Sequence, residues 1–447
     1  MKVRLSDHFT FKKIFKATLA PMLMMVFISL YSIVDGIFIS NFASKEAFAG
    51  VNLIFPIIMI IGGIGFMLGT GGSALVSKLL GEKKDEEAHK TFTMTILFAL
   101  IIGVIISISG ALLVKPIALA MASVSDDVSA TTIKEAIKYG QLLMLGQVFF
   151  ILQNLYQSFF IVDEKPVLGF LFTLGAGILN MVLDLLFIAV FKWGIVGAAL
   201  ATILGYIVGG LGPTIYFLVN KNDYIRFRKT NIKFKPILQI CFNGSSEFVN
   251  NISSSIVSII FNIQLLRYFG EAGVNAYGIM MYLGFVFCAI FIGYSGGVAP
   301  IESYNYGANN SKELKNVLTK SLIITSIFSL AMFSILLVFA NPLASLFASD
   351  SPELMEITTV GLRIYSFAFL MIGSSIYIST FFTALNNGLV SALISFLRTL
   401  VFQIVFVLIF PLFMGSYGIF YSILGSEIVS VILAVGFLIG MRKRYNY

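Results

Sequence analysis

The sequence predicts an all-α membrane protein of twelve transmembrane helices, in two parallel six-helix bundles related by a pseudo-two-fold axis along the membrane normal. Three observations lead there. Of 447 residues, 58% are hydrophobic and only 12% charged, at a mean hydropathy of +0.94, whereas a soluble domain carries about 25% charge. The apolar residues fall into twelve runs. The chain also repeats itself: Gly71 and Gly81 recur as Gly297 and Gly307, Ser158-Phe159-Phe160 as Thr380-Phe381-Phe382, and Gly194 with Gly197 as Gly415 with Gly418, at offsets of 226, 222 and 221 residues.

The runs span roughly 14–39, 50–77, 92–114, 137–161, 166–190 and 195–219 in the first half, then 237–265, 277–303, 317–339, 357–384, 389–413 and 416–440 in the second. Each holds the ~20 residues needed to cross a hydrocarbon core of about 30 Å. Residues 1–219 are expected to form an N-terminal lobe, 220–236 a charged cytoplasmic linker, and 237–447 a C-terminal lobe. Six spans per half is an even number, so both halves start on the same side and the repeats are parallel. A substrate cavity is expected between such lobes.

Basic residues set the orientation. With the N-terminus inside, the cytoplasmic segments collect 22 Lys and Arg, among them Lys2, Lys83, Lys221, Lys229 and Arg444, against six outside: Lys45, Lys115, Lys134, Lys138, Lys192 and Arg267. That asymmetry places both termini in the cytoplasm. It also accounts for the net charge of +8 through topology and anionic lipid headgroups, without nucleic acid. Cys241 and Cys288 lie in spans and read as small packing groups. The linker reads as a solvated connection, rich in charges such as Lys221, Asp223 and Lys229.

Ionisable residues inside spans are costly, at least ~2.5–3.5 kcal/mol at a helix centre, and therefore mark function. Asp35 stands near the outer end of the first span and Asp184 near the outer end of the fifth, with Asn180 one turn earlier on the same face. Thr202 of the sixth span and Tyr139 of the fourth enter at the same level, all within about 10 Å in depth. Two carboxylates, an amide oxygen and hydroxyls suit a hard cation such as Na⁺ or one shared proton; the alternative is that Asp35 serves as polar glue between helices. On the repeat register Asp35 faces Phe261, Asp184 faces Val405 or Phe406, and Glu247 faces Pro21, so these acids are not part of the duplicated frame.

Glu247, near the midplane of the seventh span, heads a polar face of Asn251, Ser254, Ser258 and Asn262. It is expected to line water or substrate, or else to be held neutral within its lobe. The fourth span carries Gln147, Asn154 and Ser158. Arg398 and Glu427 are lone charges on the last two spans and are expected to pair. Glu302 is placed near the inner end of the eighth span, within reach of water.

Enzyme signatures are missing. His8 and His89 fall outside the runs, Gly69-Thr70-Gly71-Gly72-Ser73 lacks the lysine and spacing of a phosphate-binding loop, and no Asp-rich diphosphate motif is present. No cofactor is expected beyond a coupling Na⁺ or H⁺, since active transport without an ATP site must draw on an ion gradient.

Pro300-Ile301-Glu302-Ser303-Tyr304-Asn305-Tyr306-Gly307-Ala308, the Asp35-Gly36 pair, Asn180-x-x-x-Asp184 and Glu247 with its Asn and Ser residues together resemble the multidrug and toxic compound extrusion (MATE) family. The chain is most similar to its DinF/MepA-like bacterial branch, over essentially its whole length. The resemblance implies a V-shaped pair of bundles in the plasma membrane that exports amphipathic, often cationic, drugs in exchange for Na⁺ or H⁺, and a monomer among membrane lipids. It implies that Asp35, Asn180, Asp184 and Thr202 form the cation or proton site with Tyr139 and Asn154 nearby, and that Glu247 is the acid of a second-lobe site. Relatives with Na⁺ in that lobe add an acid on the tenth helix, and residues 362–383 contain none. The alternatives are a lipid-linked oligosaccharide flippase of the same superfamily and, from a different class, an intramembrane transferase.

Overall fold

The computed structural model describes residues 3–123, 129–220, 224–348 and 351–447; Lys2, Lys221 and Asp223, counted above, lie outside the described residues. Ten helices are long and apolar enough to span by themselves, and Ala130–Leu145 with Gln147–Val162 forms one more span bent by 59°. The stretch Ser245–Gly307 counts twice. At ~1.5 Å per residue its 63 residues would exceed 90 Å, three times a bilayer core, and it breaks at Gly270, where φ is +63°. That conformation costs glycine nothing and other residues strain.

The twelve spans are α1 (Phe11–Ala43), α2 (Lys45–Gly81), α3 (Asp85–Ala122), the bent α4 (Ala130–Leu145 plus Gln147–Val162), α5 (Pro166–Val190), α6 (Ile195–Val219), α7 (245–269), α8 (271–307), α9 (Ser311–Val338), α10 (Pro352–Ala384), α11 (Gly388–Met414) and α12 (Gly418–Gly440). A short helix, Phe234–Asn243, leads into α7. Thr10, Ser44 and Ser129 cap α1, α2 and α4, each side chain accepting a backbone N–H, and Pro166 opens α5 without wasting a donor. His89 lies on α3 and is buried, since that helix begins earlier than its apolar run.

The duplication is visible in the backbone. Left-handed turns at Lys83 and Asn309, Glu164 and Asn386, and Gly194 and Gly415 recur at the same offsets as the sequence repeat.

The N-terminal half of α1 and the short helix leading into α7 are exchanged between lobes. Ile14, Ala17 and Met22 pack with Tyr294, Val298 and Ile301 of α8, while Ile237 and Ile240 pack into the core of the first lobe. Small residues make this possible. A Cβ on Gly71 would stand 2.1 Å from the Ile240 carbonyl, one on Gly297 would lie 3.2 Å from Thr18, and a Cβ on Gly81 or Gly307 would stand 2.1 Å from the Tyr304 or Lys78 carbonyl of the facing helix. Ser303 adds a hydrogen bond to the Ala74 carbonyl at 2.5 Å. These reciprocal contacts close the lobes against each other at the end that carries the basic loops.

The linker is less solvated than its charge suggests. Ile225 is buried, its N–H donates to Asp163 Oδ1 at 3.0 Å, and the N–H of Arg228 donates to Thr93 Oγ1 at 2.9 Å. Ile225 and Phe227, whose ring lies 5.1 Å from that of Phe92, seat the segment on the first lobe.

Candidate cation-coupling site

Helices α1, α5, α4 and α6 each bring polar groups to the same level, toward the end opposite the basic loops. Phe27 and Tyr31 of α1 lie against Gly177 of α5, where a Cβ would meet the Phe27 ring at 2.5 Å; this close approach sets Asp35, one turn beyond Tyr31, beside α5. Gly205 of α6 meets α5 in the same way: a Cβ there would lie 3.1 Å from the Ala176 carbonyl and 3.3 Å from Asn180 Cβ.

Asp35 is half-buried and Asp184 fully so, at 0% exposure, and the two acids lie close enough to influence each other electrostatically. Asn180 Nδ2 donates to Thr202 Oγ1 at 3.5 Å, and Thr202 in turn donates to the Ala198 carbonyl at 3.0 Å. Tyr139 is buried and reaches Thr202. Both oxygens of Asp184, Asp35 Oδ1 and Asn180 Oδ1 find no hydrogen-bond donor among the described residues.

Those orphaned acceptors define the chemistry. Two unit charges 4 Å apart repel by about 4 kcal/mol at an effective dielectric of about 20, and buried acceptors without donors add their own penalty. A proton shared between the acids, or a small hard cation among four oxygens, removes both costs at once. The residues present therefore fit either ion.

Two participants escape a reading by charge. Tyr31 and Tyr206 face the acids along with Tyr139, and Tyr206 is stacked on Phe150 at 4.5 Å between centroids. Their signal was positional: Tyr31 precedes Asp35 by four residues and Tyr206 follows Thr202 by four, which puts each on the same helical face. Backbone geometry marks the place too, since widened π-type turns follow both acids, at Ile39–Ala43 and Leu185–Val190, and such turns gather at functional sites.

Other expected residues take different places. Asn154 is buried and donates to the Gly62 carbonyl of α2 at 3.4 Å, so it ties α4 to α2. Asn251 donates to the Glu247 carbonyl at 2.9 Å and touches α2, where a Cβ on Gly63 would lie 3.3 Å away. Glu247, Ser258 and Asn262 are half-buried and Ser254 is exposed. Arg398 and Glu427 pair as expected, Nε donating to both carboxylate oxygens at 3.0 and 2.9 Å. Glu302 corrects the expectation of water access: it is 1% exposed, because α8 turns it toward α10, where the Tyr377 hydroxyl donates to it.

The MatE family model matches residues 21–186 and 248–409, one segment in each lobe. The chain belongs to the MatE family. Among curated proteins, the Multidrug export protein MepA of Staphylococcus haemolyticus (strain JCSC1435) is 27% identical over 372 residues, covering 82% of this chain and 80% of that protein. Among solved structures, one described as MATE in the straight conformation superposes with a TM-score of 0.91 at 25% identity. Another, the outward-facing conformation of a multidrug resistance MATE family transporter of the MOP superfamily, gives 0.90 at 25% identity. Each covers 100% of this chain and 98% of its own, so the twelve-helix, two-bundle MatE architecture extends from end to end.

Proposed function

We propose that this MatE protein is a multidrug efflux transporter of the bacterial plasma membrane and that Asp35 and Asp184 couple export to the inward movement of a monovalent cation, H⁺ or Na⁺. The observation that carries the coupling is the pair of neighbouring acids, with Asn180 beside them and four acceptor oxygens that find no donor among the described residues. Export of chemically varied small molecules rests on the family and on relatives named for multidrug export. The chain is a transporter and not a catalyst.

Orientation belongs to the same proposal. With both termini and the linker in the cytoplasm, the closed end formed by Gly71, Gly81, Gly297 and Gly307 faces inward and the molecule stands open to the outside, in keeping with its likeness to an outward-facing relative. Asp35 is then reached from the outer side. Cation entry neutralises the acid pair, lets α1 and α5 approach without repulsion, and shifts the balance toward the inward-open packing; release inside restores the charge and the outward form. Glu247 and its polar face offer the exported compound, amphipathic and often cationic, a carboxylate within the cavity, and the protein acts as a monomer among membrane lipids.

Proteoliposomes test this directly. Under a pH gradient and a Na⁺ gradient imposed one at a time, the purified protein should accumulate a fluorescent cationic dye under one of them. No driven uptake under either, with lipid-linked sugar translocated instead, would support the flippase alternative.

A further inference from the structure

A second buried carboxyl lies outside the coupling cluster. Glu302 sits on α8 about 7.5 Å from the helix end at Gly307, given ~1.5 Å per residue. Its neighbour Ser303 bonds to α2 of the other lobe, and Gly307 packs on Lys78, so α8 forms the closed seam with one face. Glu302 occupies the opposite face and points into the second lobe.

There its partners are few. The Tyr377 hydroxyl of α10 donates to Oε1, and Oε2 has no donor among the described residues. Tyr294, also on α8, faces Glu302, donates its hydroxyl proton to Ser321 Oγ of α9 at 2.9 Å, and lies 6.3 Å from the Tyr377 ring. From α2, Lys78 pairs with Glu82 at 3.8 Å and lies over the Tyr306 ring at 5.6 Å. Among the described residues, the titratable groups facing Glu302 are thus Tyr294 and Tyr377. Glu427, by contrast, is given a guanidinium on both oxygens. One neutral donor does not match the cost of a buried carboxylate charge, whereas a proton on the second oxygen removes that charge.

We propose that Glu302, with Tyr377 and the Tyr294–Ser321 pair, is a second exchangeable proton site, in the C-terminal lobe, and that its occupancy is linked to the seating of α8 in the seam. The proposal rests on the reading that the lobes rock about this seam. With its proton in place Glu302 lets α8 pack dry against α9 and α10 while its other face meets α2. Without it, the charge favours a packing that admits water around the inner end of α8, so the closed seam weakens. The linkage is therefore one-directional: the closed seam is favoured at low pH and lost as pH rises.

Spin labels at Glu87→Cys and Lys312→Cys, both exposed and one on each lobe, with Cys241 and Cys288 replaced by alanine, report the seam as a distance distribution. The background is Asp35→Asn/Asp184→Asn, which silences the coupling cluster. In that background raising the pH should still increase the open population, and adding Glu302→Gln should abolish the response. Tyr377→Phe should retain the response with a shifted midpoint, which provides a second test should the Gln variant fail to fold. A seam that ignores pH before Glu302 is replaced, or that responds equally after, would overturn the second site. Failure of the coupling reading shows separately, as undiminished driven transport in Asp35→Asn protein.

Discussion

Equivalent places in the two lobes treat a buried acid in opposite ways. At the offset of 221 residues, Arg398 occupies the position of Gly177 and Glu427 that of Tyr206. In the first lobe α5, packed on α6, carries Asp184 and Asn180 with oxygens unmatched among the described residues; in the second α11 and α12 hold a carboxylate clamped by a guanidinium, with side chains 13% and 4% exposed. The second lobe carries its cation covalently, in a helix that also widens into a π-type turn at Leu397–Val401. A tethered cation cannot be exchanged with solution. The difference shows how a duplicated scaffold can keep one mobile site for coupling and turn its counterpart into a fixed joint.

The largest expected effect is on the mobile site. Asp184→Asn should reduce gradient-driven export by about a hundredfold or more while leaving the fold intact, and Asp35→Asn/Asp184→Asn should be little worse, because groups in contact act as a unit and their losses do not add. Transport assays on the two single variants and the double variant check this. Strictly additive losses would mean two independent acids.

The fixed joint should fail in a different manner. Arg398→Met leaves Glu427 buried without a partner, a loss of roughly 3–5 kcal/mol in stability, read as a lowered melting temperature in detergent. Arg398→Met/Glu427→Gln should recover most of it. If the single variant instead retains full stability and loses only coupling, the second lobe is not the inert member of the pair.

A smaller effect is expected at the seam. Gly71→Ala puts a methyl 2.1 Å from the Ile240 carbonyl, so the closed inner end should be disfavoured and export slowed severalfold, with binding from the outer side weakened. Labelling of an inner-end cysteine from the cytoplasmic side should rise accordingly. Smallest is Glu247→Gln, which keeps volume and hydrogen bonding and should weaken export of cationic compounds a fewfold while sparing neutral ones. Equal loss for both classes would move Glu247 from substrate contact to coupling.

Much of this was legible in the chain. Spans, repeat offsets and acids at one depth depend on local composition and on spacing along an axis, and both survive into the fold unchanged. Rotation about the axis does not show so directly. Glu302 was read by depth alone and expected to meet water, whereas the face it occupies is decided by the neighbours α9 and α10. Tyr31 and Tyr206 were hidden among 18 tyrosines, although their four-residue spacing from Asp35 and Thr202 was on view. The exchange of the N-terminal half of α1 and of the short helix before α7 depends on Gly71 and Gly297 meeting partners more than 160 residues away, and no local pattern carries that information.

Coupling through the acid pair is tested most directly by Asp35→Asn protein in two assays run side by side, dye accumulation in proteoliposomes under an imposed cation gradient and equilibrium dye binding in detergent. The account predicts that accumulation is lost while binding stays within a few fold of the parent protein, since the cluster drives the cycle and the cavity holds the dye. Undiminished accumulation would contradict it.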